Sequence, residues 1–408
     1  MRFVTAAADF LKGLQDIQGI AGQRSINPML SETLLETTDD GVTIYATDLT
    51  VSVQEKVGAE VARSGSIVVQ AKKVFEIARQ LPEEKVTVET LDGNWLKLKS
   101  GRATFKIVGL PAEEFPPMPE YDPECLSDID FGALRSAFAK VISSMCENDA
   151  RRYLNGGLIE FSVSDVLAPD KGPGTILVST DSHRLSYKFA DIGYKHEGDK
   201  PVGLIIPRKS IEEIMRLFGE NDAVQMGLDR RRLLFKSDRL TFLSTLIDAD
   251  YPDYRAVIPK SSKFKVRVSR DELDAVLKRV SICSDPRTRR VRFFFRDGLL
   301  RLIGEDAEIG EATDEVEAEY EGDGLAQLIE KQNEEREASR DQSEEPVIET
   351  GYENSLEIDY NAAFFEDVLK IIETERVVLE LTESTSGCVL KPDEDEPTQL
   401  CIIMPMGR

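Results

Sequence analysis

With two histidines, one tryptophan and five cysteines in 408 residues, the chain has little material for several kinds of chemistry. The cysteines (Cys125, Cys146, Cys283, Cys388 and Cys401) form no C-x-x-C pair and are odd in number. That pattern suits reduced thiols and argues against a disulfide framework or a zinc site. Long apolar runs are missing too: no window reaches the ~18–20 residues of a membrane helix, and the opening MRFVTAAADF has no export core. A soluble, cytoplasmic protein is the expectation. Also absent are a G-x-x-x-x-G-K-S/T loop, a helix-opening G-x-G-x-x-G, a G-x-S-x-G elbow and H-E-x-x-H. With His183 and His196 the only imidazoles and no carboxylate cluster standing out from the acidic background, no catalytic residue, cofactor or metal ligand is nominated.

Positive charge is the scarcer sign, 51 Lys+Arg against 75 Asp+Glu, giving a formal charge of -24. Taken alone, that balance argues against a nucleic-acid partner. The distribution is uneven, because the predicted helices are close to neutral and Lys72, Lys73, Arg208 and Lys209 gather at helix starts. With 41% hydrophobic residues and 18 Phe, the chain has enough apolar material for a real core, and its length suggests about two to four domains.

What the sequence does contain is a long-period repeat. Leu98-Lys99-Ser100-Gly101-Arg102-Ala103-Thr104-Phe105 matches Phe235-Lys236-Ser237-Asp238-Arg239-Leu240-Thr241-Phe242, and each copy is followed by an aromatic-Pro pair, Phe115-Pro116 and Tyr251-Pro252. A strand-like run ending in Asp recurs three times, at Thr43 to Asp48, Ile176 to Asp181 and Leu300 to Asp306. A short apolar strand entering a helix also recurs, at Ile67-Val68-Val69, Leu204-Ile205-Ile206 and Leu356-Glu357-Ile358. A period of about 130 residues implies three copies of one domain, here 1–124, 125–259 and 260–408. Apolar spacing of three and four residues (Phe10, Leu11, Leu14 and Ile17; Val74, Phe75 and Ala78) gives each copy two helices. The fold class is α+β, each domain packing two helices on antiparallel sheet. The third copy is longer by an acidic insertion at about 321–350, read as a solvated surface segment, helical in part from Leu325 to Glu337.

These stretches, in order along the chain, carry a specific resemblance. Gly22-Gln23-Arg24, Ala46-Thr47-Asp48-Leu49, Leu110-Pro111-Ala112-Glu113-Glu114-Phe115-Pro116, Arg152-Tyr153-Leu154-Asn155-Gly156, Thr180-Asp181-Ser182-His183-Arg184-Leu185, Tyr251-Pro252-Asp253-Tyr254-Arg255 and Met404-Pro405-Met406 resemble the bacterial DNA polymerase III β subunit, the replication sliding clamp family. The resemblance spans nearly the whole chain and leaves only the 321–350 insertion unmatched. It implies the three-domain DNA-clamp fold closing into a ring as a head-to-tail homodimer around duplex DNA. The ring would slide without reading sequence, its partners being a clamp loader, the replicative polymerase and other polymerases and repair proteins carrying clamp-binding peptides.

Residue by residue, the resemblance nominates Arg24, Lys72, Asn148, Arg152, Tyr153 and Arg208 for DNA. It nominates Leu154, Thr180, Ser182, His183, Arg184, Leu185, Pro252, Val257, Asn361, Phe364, Thr385, Ile402, Ile403, Met404, Pro405 and Met406 for a partner-peptide pocket. Phe105, Ile107, Ile282 and Cys283 are nominated for the dimer contact. Four departures stand out: Asn148 where the family has Gln, Ala256 where Arg is frequent, Phe364 in place of Tyr, and an end in Gly407-Arg408 rather than Arg-Leu. Two other classes stay open, a hydrolase using His183 with Asp181 and Arg184, and a peptide-binding scaffold that does not encircle DNA.

Overall fold

The computed structural model describes residues 1–21, 27–194, 202–229, 231–296, 298–340 and 354–407. Arg24, His196 and the 341–350 part of the acidic insertion lie outside the described residues. Chain contacts divide the protein into two units. The first comprises Met1–Arg135, Ile192–Tyr194 and Ile206–Asp248, and the second Ser136–Asp191, Lys195–Ile205 and Ala249–Arg408. The central repeat therefore contributes to both units. The cause is visible in the strand ladders, which join the edge of one repeat to the edge of the next.

In the first unit, strand Leu240–Thr245 pairs antiparallel with Val51–Gly58, setting Leu240 opposite Glu55, Phe242 opposite Val53 and Ser244 opposite Val51. In the second, Gln399–Ile403 pairs with Arg184–Ala190, setting Gln399 opposite Lys188 and Ile403 opposite Arg184. These two seams extend the described strands into sheets of 13 and 12 members. Strand Gly41–Thr47 is buried at every position, as expected where both faces are covered.

Helices pack on these sheets through the faces that the sequence spacing marks. In Ala7–Gln18, Phe10, Leu14 and Ile17 are buried. In Ala71–Ala78, Val74 and Ala78 are buried and Phe75 is half-buried. Helix Arg270–Val280 buries Leu273, Val276, Leu277 and Val280; the Ser269 hydroxyl accepts the Glu272 N–H, and Asp271 and Glu272 precede Lys278 and Arg279 in the order the helix dipole favours. Helices Phe131–Val141 and Arg270–Val280 end as Ile142–Ser144 and Ser281–Cys283 tighten into 3-10 turns.

The repeated Asp closes the same turn three times. Asp48 Oδ1 accepts the N–H groups of Thr50 and Val51, Asp181 those of His183 and Arg184, and Asp306 those of Glu308 and Ile309. In the first two copies the next residue is left-handed, Leu49 at φ 73° and Ser182 at φ 77°.

The acidic insertion is more structured than a solvated segment. Glu321 ends strand Gly310–Glu321, and helix Gly324–Arg340 follows, longer than the Leu325 to Glu337 stretch expected. Leu328 enters the core of the second unit, and Leu325 and Ile329 pack against it. Helical spacing of Leu325, Leu328 and Ile329 supplies an apolar stripe that the overall acidity conceals.

Candidate functional site

The residues nominated for a peptide pocket all lie in the second unit, and hairpin 180–185, Phe364 and the Met404–Met406 segment come together at the second seam. Hairpin 180–185 is held by its own side chains: the Thr180 hydroxyl donates to the Arg184 carbonyl at 2.7 Å and accepts the Ser182 N–H at 3.1 Å. Arg184 is the pivot. Its Nε donates to Asp181 at 3.0 Å, one Nη to Asp367 on helix Ala362–Ile371 at 2.8 Å, and the other to the Ser143 carbonyl. Its side chain is 10% exposed, so it carries charge-assisted bonds in a partly dry setting where they count for more than on an open surface.

Those bonds hold the guanidinium over the Phe364 ring, and the His183 ring stacks on the same phenyl at 6.4 Å and 23°. The C-terminal strand then leaves the sheet beside the hairpin: the Met404 N–H donates to the His183 carbonyl and the Met406 N–H to the Asp359 carbonyl, both at 2.8 Å. Asn361 caps helix Ala362–Ile371 by accepting the Ala363 N–H at 3.0 Å, which fixes the turn that presents Phe364. Met404 is 38% and Val257 49% exposed, while Pro405, Met406 and Phe364 are half-buried. Exposed apolar groups of this size beside an aromatic wall and a flexible thioether are the makings of a docking surface.

The nominated residues divide by burial. Ser182, His183, Pro252, Val257, Thr385 and Met404 are exposed, and Thr180, Arg184, Asn361, Phe364, Pro405 and Met406 are half-buried. Leu154, Leu185, Ile402 and Ile403 are buried and belong to the underlying sheet and its flank. Asp181 and Asp367, which aim Arg184, are not among the residues nominated for the peptide pocket. The Asp181 signal lay in the repeated turn motif, but nothing local marks Asp367 as a partner 183 residues away. Gly387 was also missed: a Cβ there would sit 2.4 Å from Ile402 Cγ2 and 3.1 Å from Met404 Sδ, so glycine permits the close approach of the last strand.

The nucleic-acid candidates are mostly surface groups. Lys72 is exposed in the first turn of Ala71–Ala78, and Arg208 pairs with Glu212 at 2.9 Å. In the other unit Asn148 and Arg152 are exposed, and Tyr153 packs edge-on against Tyr251 at 6.0 Å. The loop around them is shaped by Asn155, whose amide accepts the Asp149 N–H and donates to the Asp149 carbonyl.

The dimer candidates are apolar and incompletely covered: Phe105, Ile107 and Cys283 are half-buried and Ile282 is 72% exposed. Among the described residues no three His, Cys, Asp or Glu side chains group to hold a metal ion, and no helix is long and apolar enough to cross a membrane.

Comparison with known proteins agrees along the whole chain. Residues 1–119 match the family model of the DNA polymerase III beta subunit N-terminal domain, 128–253 that of its central domain, and 255–330 with 327–407 that of its C-terminal domain. The beta sliding clamp of Pseudomonas putida is 29% identical over 408 residues and that of Escherichia coli K12 27% over 412, each alignment covering both chains in full. The crystal structure of the Pseudomonas aeruginosa DNA polymerase III subunit beta superposes with a TM-score of 0.84 at 28% identity, covering both chains in full, and a sliding clamp of that organism bound to griselimycin gives 0.83. The chain belongs to the DNA polymerase III beta subunit family.

Proposed function

We propose that this chain is a DNA sliding clamp, a processivity factor that closes into a head-to-tail ring with a second copy, encircles duplex DNA and tethers polymerases through the pocket at its second seam. The observation that carries this reading is the count of edges. Three repeats offer three donor edges and three acceptor edges, but among the described residues one chain closes two seams. The 103–108 part of strand Ala103–Leu110, beyond which Gly109 and Leu110 pair with Val69 and Val68, and the 310–317 half of Gly310–Glu321 are the repeat equivalents of strands that are paired elsewhere. Phe105 is the counterpart of Phe242. The second is fully buried in a closed seam and the first is half-exposed.

An edge of this kind invites pairing, and a heterologous contact that closes makes a ring. Phe105, Ile107, Ile282 and Cys283 supply the apolar part of that contact. Function then depends on topology: a threaded duplex cannot leave sideways, so Arg24, Lys72, Asn148, Arg152, Tyr153 and Arg208 need only graze phosphates, without base readout. The acidic remainder of the surface disfavours DNA elsewhere. No catalytic step is assigned to the chain, its partners are the clamp loader, the replicative polymerase and repair proteins with clamp-binding peptides, and its site of action is the cytoplasm.

The test is retention on nicked circular against linearised DNA after loading by a clamp loader with ATP. Retention on the circle and loss from the linear form supports the ring. Equal retention means ordinary contact binding, and no retention on either, with the loader active on its own clamp, leaves the peptide-binding scaffold.

A further inference from the structure

The two closed seams fix the register of the third. In each repeat, the residue just before the hairpin Asp faces one seam-strand residue: Thr47 faces Ser52, Thr180 faces Leu185 and Glu305 faces Glu311. Ser52, Leu185 and Glu311 are thus equivalent, although the third hairpin is one residue longer. Three positions on, Ile44 faces Glu55, Leu177 faces Lys188 and Leu302 faces Asp314, so those three are equivalent as well.

On the complementary edge, Lys99 faces Thr104 as Lys236 faces Thr241, which makes Lys106 the counterpart of Leu243. Across the closed seams Leu243 lies opposite Ser52 and Ile402 opposite Leu185. From this register we infer that, where two copies of the chain meet, Lys106 of one lies directly opposite Glu311 of the other and their charges select that partner. The inference rests on the dimer reading above and adds to it a register and a recognition pair.

The charges on each free edge favour this match. Lys106 lies opposite Lys97 within its own hairpin, and Glu311 opposite Glu305 within its own. Like charges directly across a ladder are unfavourable. Lys97 finds Glu89 and Glu305 finds Arg292 inside their own sheets, so it is the outermost charge of each row, Lys106 and Glu311, that meets the opposite sign when the two edges join. One position outside the ladder the same register sets Arg102 beside Asp314. Its counterparts do the same job at closed seams: Arg239 pairs with Glu55, and Lys188 donates to Thr398 at 2.7 Å. The polar group thus differs at every seam: two buried carboxylates, Asp16 and Glu55, with an arginine at the first; Lys188 on a threonine and Lys140 on Glu373 at the second; Arg279 and Asp314, joined to each other, at the open one. A wrong edge brings the wrong charge, and a slip of one residue would put Lys106 against Gly310 or Ala312 and turn Phe105 to the other face.

Sedimentation of the full-length protein across nanomolar to micromolar concentrations at low salt tests the pair. Lys106→Glu and Glu311→Lys, both at exposed positions, are expected to raise the dimer dissociation constant at least tenfold each. Mixing the two variants is expected to restore association to within about threefold, because each junction of the mixed dimer then pairs opposite charges, and the double variant to behave likewise. Single variants that associate like the wild type, or a mixture that stays dissociated, overturn the register while leaving the dimer standing. A wild-type chain that remains monomeric at micromolar concentration overturns the dimer reading and the register with it.

Discussion

The guanidinium carbon of Arg184 lies 4.5 Å from the centroid of the Phe364 ring, held there by carboxylates from two different elements, Asp181 and Asp367. One face of Phe364 is thereby committed to the protein, and its orientation is set before any ligand arrives. Preorganisation of an aromatic anchor lowers the ordering cost of binding. Phe364→Ala is expected to weaken a clamp-binding peptide by about tenfold or more in titration calorimetry, with unchanged circular dichroism. Arg184→Lys, which keeps the charge and loses the planar fork, is expected to weaken it by a smaller factor. Unaltered peptide affinity in both variants would remove the pocket from this seam.

Phe105 and Phe242 are one position in two repeats, and they should respond differently to loss of the ring. Phe242→Ala opens a cavity in a closed seam and is expected to cost about 3–5 kcal/mol of folding stability. Phe105→Ala removes a half-exposed group from a free edge. Its expected effect is dissociation of the dimer with a small change in stability of the chain itself. Urea unfolding and sedimentation on the two variants separate the cases, and an equal loss of stability in both would contradict the free-edge assignment.

The repeats, the two helices per copy and the Asp-closed hairpins were legible because each leaves a short-range trace: apolar residues three and four apart, or one Asp accepting two backbone N–H groups. What the sequence hid is long-range. The compact units cut through the central repeat, since backbone ladders such as Leu240 with Glu55 tie neighbouring repeats together and backbone pairing carries no residue signature. Asp367 could not be linked to Arg184 for the same reason. The pocket residues were legible only through family resemblance, because His183 or Met404 alone has nothing in its surroundings in the sequence to distinguish it from an ordinary surface or strand residue.

Gln332 explains why the acidic helix stays docked. Its side-chain amide donates to the Glu357 carbonyl at 2.8 Å and accepts the Glu357 N–H at 2.9 Å, doing for strand Leu356–Asn361 what a neighbouring strand would do. A free edge is closed without another strand. Gln332→Ala leaves both backbone groups without that partner and is expected to cost about 1–3 kcal/mol. Leu328→Ala, on the same helix and buried in the core, is expected to cost about 2–5 kcal/mol. Chemical denaturation measures both, and a loss below 0.5 kcal/mol on the scale of ordinary surface substitutions for each would return the helix to the status of a solvated appendage.

Glu55 gives the first seam a pH dependence of defined sign. Its carboxyl is buried beside Asp16, and burial first, then the Asp16 charge, push it up to about 7 against the pull of Arg239 and the more distant Lys12. One carboxylate oxygen is buried without a hydrogen-bond partner, which explains why the charged form is disfavoured despite the arginine. The folded chain holds this proton up to about pH 7, whereas the unfolded chain releases it near 4.5. Between those values the folded state binds more protons, so the Glu55 contribution to stability falls as pH rises and levels off above about 7. Glu55→Gln keeps a hydrogen-bonding side chain and cannot ionise. Its stability relative to the wild type is expected to increase from pH 5 to 7 and then stay constant, read from urea unfolding at each pH. A difference that is flat across that window would mean that Glu55 ionises in the folded chain as it does in the unfolded one, with Arg239 fully offsetting the burial.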